Sequence, residues 1–558
     1  MHVRQYSFRF AFIFISLIIF LLFLFCKLIF LQVFRSAYLS SLAQKQHNSL
    51  VKLEPRRGTI YDRNLRPLAF NVTVSSLYAN PRTMSFEDKN NAIQQLSVIL
   101  GKDPNILREL LMKRRYFVWV ARKLPPELAE KIAALKIRGL GFIKESKRYY
   151  PNQWLAAHMI GFADVDNRGL EGLELSYDKY LQGESGWSQI LRDARQRELL
   201  LERNYVPPKD GFNLVLTIDE TIQYLAERAL DKAFMKHNAK SATIIVMNPQ
   251  TGEILALANR PTYNVADVAN SSIESRTNRA VSYMYEPGSV FKIVTASGAL
   301  EEGIWKETDL IDCEKGSYRV GGKILHDHQA HGILTFRQVI EESSNIGVSK
   351  IAQKLGANNV YKYAQRFRFG HKTGIDLEGE VGGFLKHPHY WSKTSIAAVP
   401  MGQEVTVTPL QLVCAISAIA NGGVYMQPFV VKYIKDNQDQ IIKSVEPKAI
   451  AQTISPETAK RMTAILTGVV DEGTGRMARI PGVVVAGKTG TAQKVINGNY
   501  SHSQFYASFI GFAPVEHPRL AAVVVVEEPH GTYYGGTVAA PVFKEVIENS
   551  LKYLESKQ

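Results

Sequence analysis

Three short stretches of the chain carry residue types able to do nucleophilic chemistry. In Glu286-Pro287-Gly288-Ser289-Val290-Phe291-Lys292, Pro and Gly break the chain just before an apolar run over 290–300, which reads as a buried helix ending near Gly303. Ser289 then falls in the first helical turn. Residues three apart share a helix face, so the Lys292 amine can reach the Ser289 hydroxyl, and the helix N-terminus favours negative charge developing there. A serine so placed beside a lysine is an activated nucleophile. Taken alone, the same S-x-x-K pattern is also an ordinary surface helix start.

The second stretch is Ser343-Ser344-Asn345. Thr335 and Gln338 read as the cap of a helix through Glu342, and apolar residues resume at Ile346. Ser343 and Asn345 therefore sit in a tight connection from which side chains can turn into a cleft. The third is Lys488-Thr489-Gly490-Thr491. It overlaps a literal G-x-x-x-x-G-K-[ST] match over 482–489, and 523–527 imitates the apolar strand with a terminal acid that accompanies a nucleotide site. A nucleoside triphosphatase is thus a competing reading. Its context is unfavourable, because residues 483–486 are themselves strand-like and 489–495 lack the apolar spacing of a long helix. Read instead as an edge strand, Gly490 permits close approach of another backbone, Lys488 supplies positive charge, and the hydroxyls of Thr489 and Thr491 can hold an anionic group.

These stretches need a scaffold, and the rest of the chain supplies one. Its 558 residues exceed one ordinary domain. The excess of 67 Lys+Arg over 52 Asp+Glu gives +15, but no long basic run concentrates it, so nucleic acid is not expected as a partner. Residues 10–34 are overwhelmingly apolar, with Lys27 their one charge, and read as one retained membrane-spanning helix behind a short tail, 1–9. Arg4 and Arg9 favour a cytoplasmic N-terminus, against the weaker pull of Lys27, Arg35 and Lys45. Residues 35–208 mix short strand-like runs with charged helices such as 125–135 and carry no nucleophile with a base; they read as an elongated, non-catalytic spacer. The linker 206–211, full of turn formers, marks the boundary to a compact domain over 212–558.

In that domain Thr217 and Glu220 read as a capping box for a helix through Phe234. A hairpin joins 242–247 to 253–258, two strands follow over 504–513 and 520–526, and 538–553 forms a closing helix. The result is an α+β domain, an antiparallel sheet with helices packed on it. Of the three cysteines, Cys26 lies in the span, leaving Cys313 and Cys414 as the only pair outside it; two buried free thiols or a disulfide are both open. His326, His328 and His331 around Asp327 superficially suggest a metal site, but the flanking glycines read better as a solvated loop near the cleft.

With S-x-x-K, S-x-N and K-T-G in this order, the compact domain resembles the transpeptidase domain of penicillin-binding proteins, which is of the serine β-lactamase type. Three spacer segments, Arg57-Gly58-Thr59-Ile60-Tyr61-Asp62-Arg63, then Arg148-Tyr149-Tyr150-Pro151, then Gly169-Leu170-Glu171-Gly172-Leu173-Glu174, resemble the pedestal motifs of class B members. Leu65 stands where members often have Gly, which is expected to alter a local turn. The phrases around Tyr285, Lys372, Val407 and Ala486 are similar to the division-specific, FtsI-like subtype, with an elongation-type enzyme as the alternative.

The resemblance implies a bacterial inner-membrane protein, single-pass, with the catalytic domain outside the cytoplasm. It implies a D,D-transpeptidase that cross-links peptidoglycan stem peptides through a Ser289 acyl-enzyme. Lys292 would take the proton, Ser343 and Asn345 relay protons and orient the substrate, and Lys488, Thr489 and Thr491 hold the terminal carboxylate. The N–H groups of Ser289 and Thr491 would form the oxyanion hole, and Lys488 and burial would together lower the Lys292 pKa. β-Lactams should acylate Ser289. No metal or cofactor is implied; an FtsW-like glycosyltransferase and other division proteins are implied as partners. A penicillin sensor or scaffold is the non-enzymatic rival. A sensor is not expected with about nine residues before the span, and a scaffold would be expected to lose Ser289 or Lys292.

Overall fold

The computed structural model describes residues 2–39, 48–192, 198–199 and 205–557. Lys45, counted above in the charge bias, lies outside them. Helix α1 (His2–Ile29) runs on through a π-helical turn, Phe30–Phe34. Among the described residues, Phe8–Phe34 is the one helical stretch long and apolar enough to cross a membrane, with a mean hydropathy of 3.0 over its best window.

The chain forms two compact units. One comprises Met1–Arg56 with Gly183–Asp210, in which the strand Asn48–Leu53 pairs antiparallel with Gly186–Arg192. The other comprises Arg57–Gln182 with Gly211–Gln558. Compactness thus changes at the 206–211 turn formers, but most of the spacer, from Arg57 on, packs with the C-terminal domain as one body.

The three spacer segments meet at a buried ion cluster within that body. Glu174, fully buried, accepts from Arg57 Nε at 2.5 Å and from Arg148 Nε at 2.6 Å; Arg57 also reaches Asp178 at 2.6 Å, and Arg148 Nη1 donates to Gly58 O at 2.7 Å. Each guanidinium has several N–H donors and spreads them over different acceptors, which lets two arginines and one glutamate tie three distant stretches together. The strand Ile60–Tyr61 then pairs parallel with Asn213–Leu216, so spacer and C-terminal domain share one sheet. Leu65 lies in the turn that follows the strand Ile60–Tyr61. It adopts the left-handed conformation itself, with φ +63°, while Asp62 N donates to Arg66 O across the turn at 2.9 Å.

The C-terminal domain is built on a five-stranded antiparallel sheet. Its elements are α2 (Glu220–Lys236), β1 (Ser241–Met247), β2 (Ile254–Arg260), α3 (Lys292–Glu301), α4 (Phe336–Glu341), α5 (Asn345–Leu355), α6 (Pro409–Ala420), β3 (Ala486–Ile496), β4 (Asn499–Ala513), β5 (Leu520–Glu527) and α7 (Ala540–Ser556). The strand order is β2-β1-β5-β4-β3, so β3, which carries Lys488, is an edge strand. Strands β1, β2 and β5 are buried at every position, because helices cover both faces. Ile244 and Val246 point with Val524 into a core shared with α2 and with Phe543 of α7, whereas Ile245 and Met247 point into the larger core that holds α3 and α6.

The N-cap of α2 is Asp219, whose carboxylate accepts from Thr221 N at 3.0 Å. Thr217, expected in that role, instead donates to Ile254 O at 2.6 Å inside the protein. The Thr335–Gln338 capping box forms as expected.

Candidate active site

The Ser289 turn owes its shape to glycine. Gly288 sits at φ +60°, a conformation that costs other L-residues about 1 kcal/mol or more. Residues Gly288–Phe291 make a single 3-10 turn, and α3 starts at Lys292, so Ser289 precedes the α-helix proper instead of lying in its first turn. Helix α3 is fully buried from Lys292 to Leu300. An edge strand must lie close against this turn, and Gly490 permits it: a Cβ there would stand 2.3 Å from Ser508 Oγ and 2.9 Å from Val290 Cγ1.

Ser289, Ser343, Asn345, Thr489 and Thr491 line one cleft of about 800 Å³. Lys292 and Lys488 are fully buried beneath it. Their ammonium groups meet at Ser343, whose Oγ accepts from Lys488 Nζ at 2.9 Å and from Lys292 Nζ at 3.2 Å. Lys292 Nζ also donates to Ser343 O at 2.5 Å and to Asn345 Oδ1 at 2.9 Å. Three acceptors thus match the three donors of a charged lysine. The Ser289 hydroxyl is not among them. Ser343, at φ +59°, turns both its carbonyl and its hydroxyl toward the lysines.

Two buried cations side by side are unstable, and the pKa shifts follow. Burial brings Lys292 down to about 7, with the Asp327 carboxylate opposing the fall. Lys488 is held well below the ordinary lysine range, first by burial and then by the charge of Lys292. Burial is thus the leading cause at both lysines, and repulsion between their charges adds to it at Lys488. Along β3, Thr489 Oγ1 bonds Thr474 Oγ1 at 2.7 Å and Thr491 Oγ1 accepts from Gly535 N at 3.2 Å, which fixes both hydroxyls at the cleft wall.

Asp327 is the residue that sequence reasoning missed. Its carboxylate accepts from Ser344 Oγ at 2.6 Å and from Ile346 N at 3.0 Å, and it also takes the Asn345 N–H. Ser344 in turn caps α5 through Gly347 N at 2.9 Å. An acid held at the start of α5 fixes the S-x-N turn that receives Lys292. The only signal for it was an acidic residue within a Gly- and His-rich loop. His328 packs its ring against Tyr534 at the cleft, with centroids 4.9 Å apart. Cys313 and Cys414 are both free and buried. The phosphate-loop pattern begins in a turn at Gly482 and ends inside extended β3, with no helix opening at Lys488.

Comparison with known families bears on this geometry. The penicillin binding protein transpeptidase domain matches residues 242–548, more than half of the chain, and the penicillin-binding protein dimerisation domain matches residues 52–216. This chain belongs to the class B penicillin-binding proteins. Stage V sporulation protein D of Bacillus subtilis is 38% identical, over 95% of this chain and 83% of its own length. Peptidoglycan D,D-transpeptidase FtsI of Escherichia coli K12 is 32% identical, over 99% and 92%. Among solved structures, penicillin binding protein 3 of Mycobacterium tuberculosis, complexed with aztreonam, superposes with a TM-score of 0.71 at 28% identity, covering 91% of this chain and 97% of that one. As a class B penicillin-binding protein, the chain has the architecture its motifs announced: an apolar N-terminal helix, a dimerisation-type region and a transpeptidase domain.

Proposed function

We propose that this chain is a membrane-anchored serine D,D-transpeptidase that cross-links peptidoglycan stem peptides, with Ser289 as nucleophile. The observation that carries the reading is the Ser343 hydroxyl shared by two buried lysines at the floor of the cleft that Ser289 lines. As a cation, Lys292 spends its three protons on Ser343 and Asn345. When it loses one, a lone pair becomes available to the Ser289 hydroxyl, and a pKa near 7 makes that form abundant at neutral pH. Ser289 Oγ then attacks the carbonyl between two terminal D-alanines while Lys292 takes its proton.

The backbone N–H groups of Ser289 and Thr491 hold the oxyanion, a contribution of about 3 kcal/mol per donor in other enzymes. Ser343 passes the proton on to the departing D-alanine amine. Lys488, Thr489 and Thr491 bind the terminal carboxylate, whose arrival draws a proton back onto Lys488. An amine from a neighbouring stem then displaces Ser289 and completes the cross-link. β-Lactams enter the same path and stop at the acyl-enzyme.

The likeness to FtsI and to a sporulation protein supports a septal role over lateral wall growth. The catalytic domain is placed outside the cytoplasm, since stem peptides are cross-linked there. A polymerising glycosyltransferase of the FtsW type and other division proteins are the partners this reading calls for. Incubation of the purified full chain with pentapeptide-bearing glycan strands tests it. Released D-alanine and dimeric stems, both absent with Ser289→Ala, are expected; release of neither by the native chain would refute it.

A further inference from the structure

Of the charged side chains that line the cleft and have no part in acylation, Glu286, Glu342 and Arg476, the first has a buried oxygen left unpaired. Glu286, three residues before Ser289, lines the cleft. Its Oε1 accepts from Glu404 N at 2.9 Å and from Tyr500 OH at 3.3 Å, whereas its Oε2 is buried with no partner among the described residues. An unpaired buried carboxylate oxygen is costly, and folds retain such a group where a ligand completes it. Among the described residues no cation offsets it: burial pushes the Glu286 carboxyl up, and the neighbouring Glu404 carboxylate adds repulsion. Glu404 is itself engaged by Ser395 Oγ at 2.6 Å and supplies no countercharge.

The cleft is thereby polarised. Lys488, Thr489 and Thr491 lie toward one end of β3, where an anionic group belongs. Tyr500, which pairs with Val495 near the tip of the β3–β4 hairpin, closes over Glu286 farther along the strand. Transpeptidation needs two stems, and the one that attacks brings a primary alkyl amine, which is an ammonium ion in neutral water.

We propose that Glu286 is the recognition group for the acceptor: it binds the alkylammonium of the attacking stem through Oε2 and takes one proton from it. The inference rests on the acyl-enzyme reading above. In balanced form, the ammonium passes one proton to the Glu286 carboxylate and becomes an amine. Its nitrogen then forms a bond to the acyl carbon as the bond from that carbon to Ser289 Oγ breaks. The second amine proton returns through Lys292 to Ser289 Oγ, and Glu286 loses its proton to water. Water carries no charge for the carboxylate to hold, so a contact selective for an ammonium favours cross-linking over hydrolysis.

The test is the partition of a preformed acyl-enzyme. The full chain in detergent is acylated with a D-Ala-D-Ala donor, and the acyl group is offered to water and to either a diamino-acid amide, charged at the assay pH, or hydroxylamine, which is uncharged. Because the ratio of amine to water product is read on acyl-enzyme already formed, slower acylation does not affect it. Glu286→Gln is expected to lower the ratio for the charged acceptor about tenfold or more, the scale of one charged hydrogen bond, and to leave that for hydroxylamine unchanged. Glu286→Asp should restore part of it. In the native chain, the charged acceptor's KM should rise with added salt while that of hydroxylamine stays level, a readout that needs no variant.

An unchanged ratio, an equal fall for both acceptors, or a salt-independent KM overturns the proposal. So does an effect confined to the donor's acylation rate, which would place a donor amine at Glu286. Failure of the native chain to form any acyl-enzyme would refute the transpeptidase reading itself, a different result from an acyl-enzyme that partitions without regard to charge.

Discussion

Burial of Lys292 makes acylation depend on pH in a range where an ordinary lysine would be silent. With its pKa brought down to about 7, about a tenth of Lys292 is neutral at pH 6 and about nine-tenths at pH 8. Only the neutral form can accept the Ser289 proton. The second-order rate constant for acylation by a fluorescent penicillin, followed by stopped flow, should therefore rise about tenfold from pH 6 to pH 8 and then level off. The sign is fixed by the shift: a lysine lowered in the folded protein gains its active form as pH rises through that lowered value. Asp327 supplies an internal control. Its carboxylate raises the Lys292 pKa, so Asp327→Asn should move the midpoint to lower pH, at the cost of loosening the start of α5. Lys292→Arg, always charged, should acylate at a small fraction of the native rate at every pH. A profile flat between pH 6 and 8, or a midpoint in the ordinary lysine range, would refute the assignment of Lys292 as the base.

Other parts of the molecule make sharper structural claims. Replacing Glu174 by Gln leaves Arg148 buried without its countercharge and Arg57 with Asp178 alone, and should cost about 3–5 kcal/mol in denaturant-induced unfolding of the folded body; a loss under 1 kcal/mol would show the cluster to be incidental. Leu65→Gly should stabilise by about 0.5–1 kcal/mol, since an exposed residue is relieved of a left-handed backbone at the expense of some chain entropy; a lower Tm would contradict this. Gly490→Ala forces a Cβ against Ser508 and Val290, and should slow acylation by more than about tenfold while costing roughly 1–3 kcal/mol of stability. Native acylation in that variant would mean the edge strand and the Ser289 turn can separate freely.

Much of this was legible in the sequence because the chemistry is carried by short, ordered motifs and the scaffold by strong local signals. The Thr335–Gln338 cap, the 242–258 hairpin and the edge strand at Lys488 are determined by residues close together in the chain. What local pattern could not show is where long side chains end. The three-residue spacing of Ser289 and Lys292 suggested a direct bond, yet Lys292 spends its protons on Ser343 and Asn345, because the fold brings the carbonyl and hydroxyl of Ser343 and the amide oxygen of Asn345 to its amine. The opposing pull of Asp327 on Lys292 was likewise invisible, since the position of that carboxylate is set by folding. Asp327 lies 17 residues before Ser344 and left no periodic trace. Asp219 displaced Thr217 as a cap because the Thr217 hydroxyl was needed inside, against Ile254.

The most direct test of the central claim is to identify the residue that carries the acyl group. The purified full chain is treated with a β-lactam, digested, and the modified peptide sequenced by mass spectrometry. One adduct on Ser289, absent in Ser289→Ala and formed slowly in Lys292→Ala, is the predicted result. An adduct on another residue, or none on folded protein, would contradict the account.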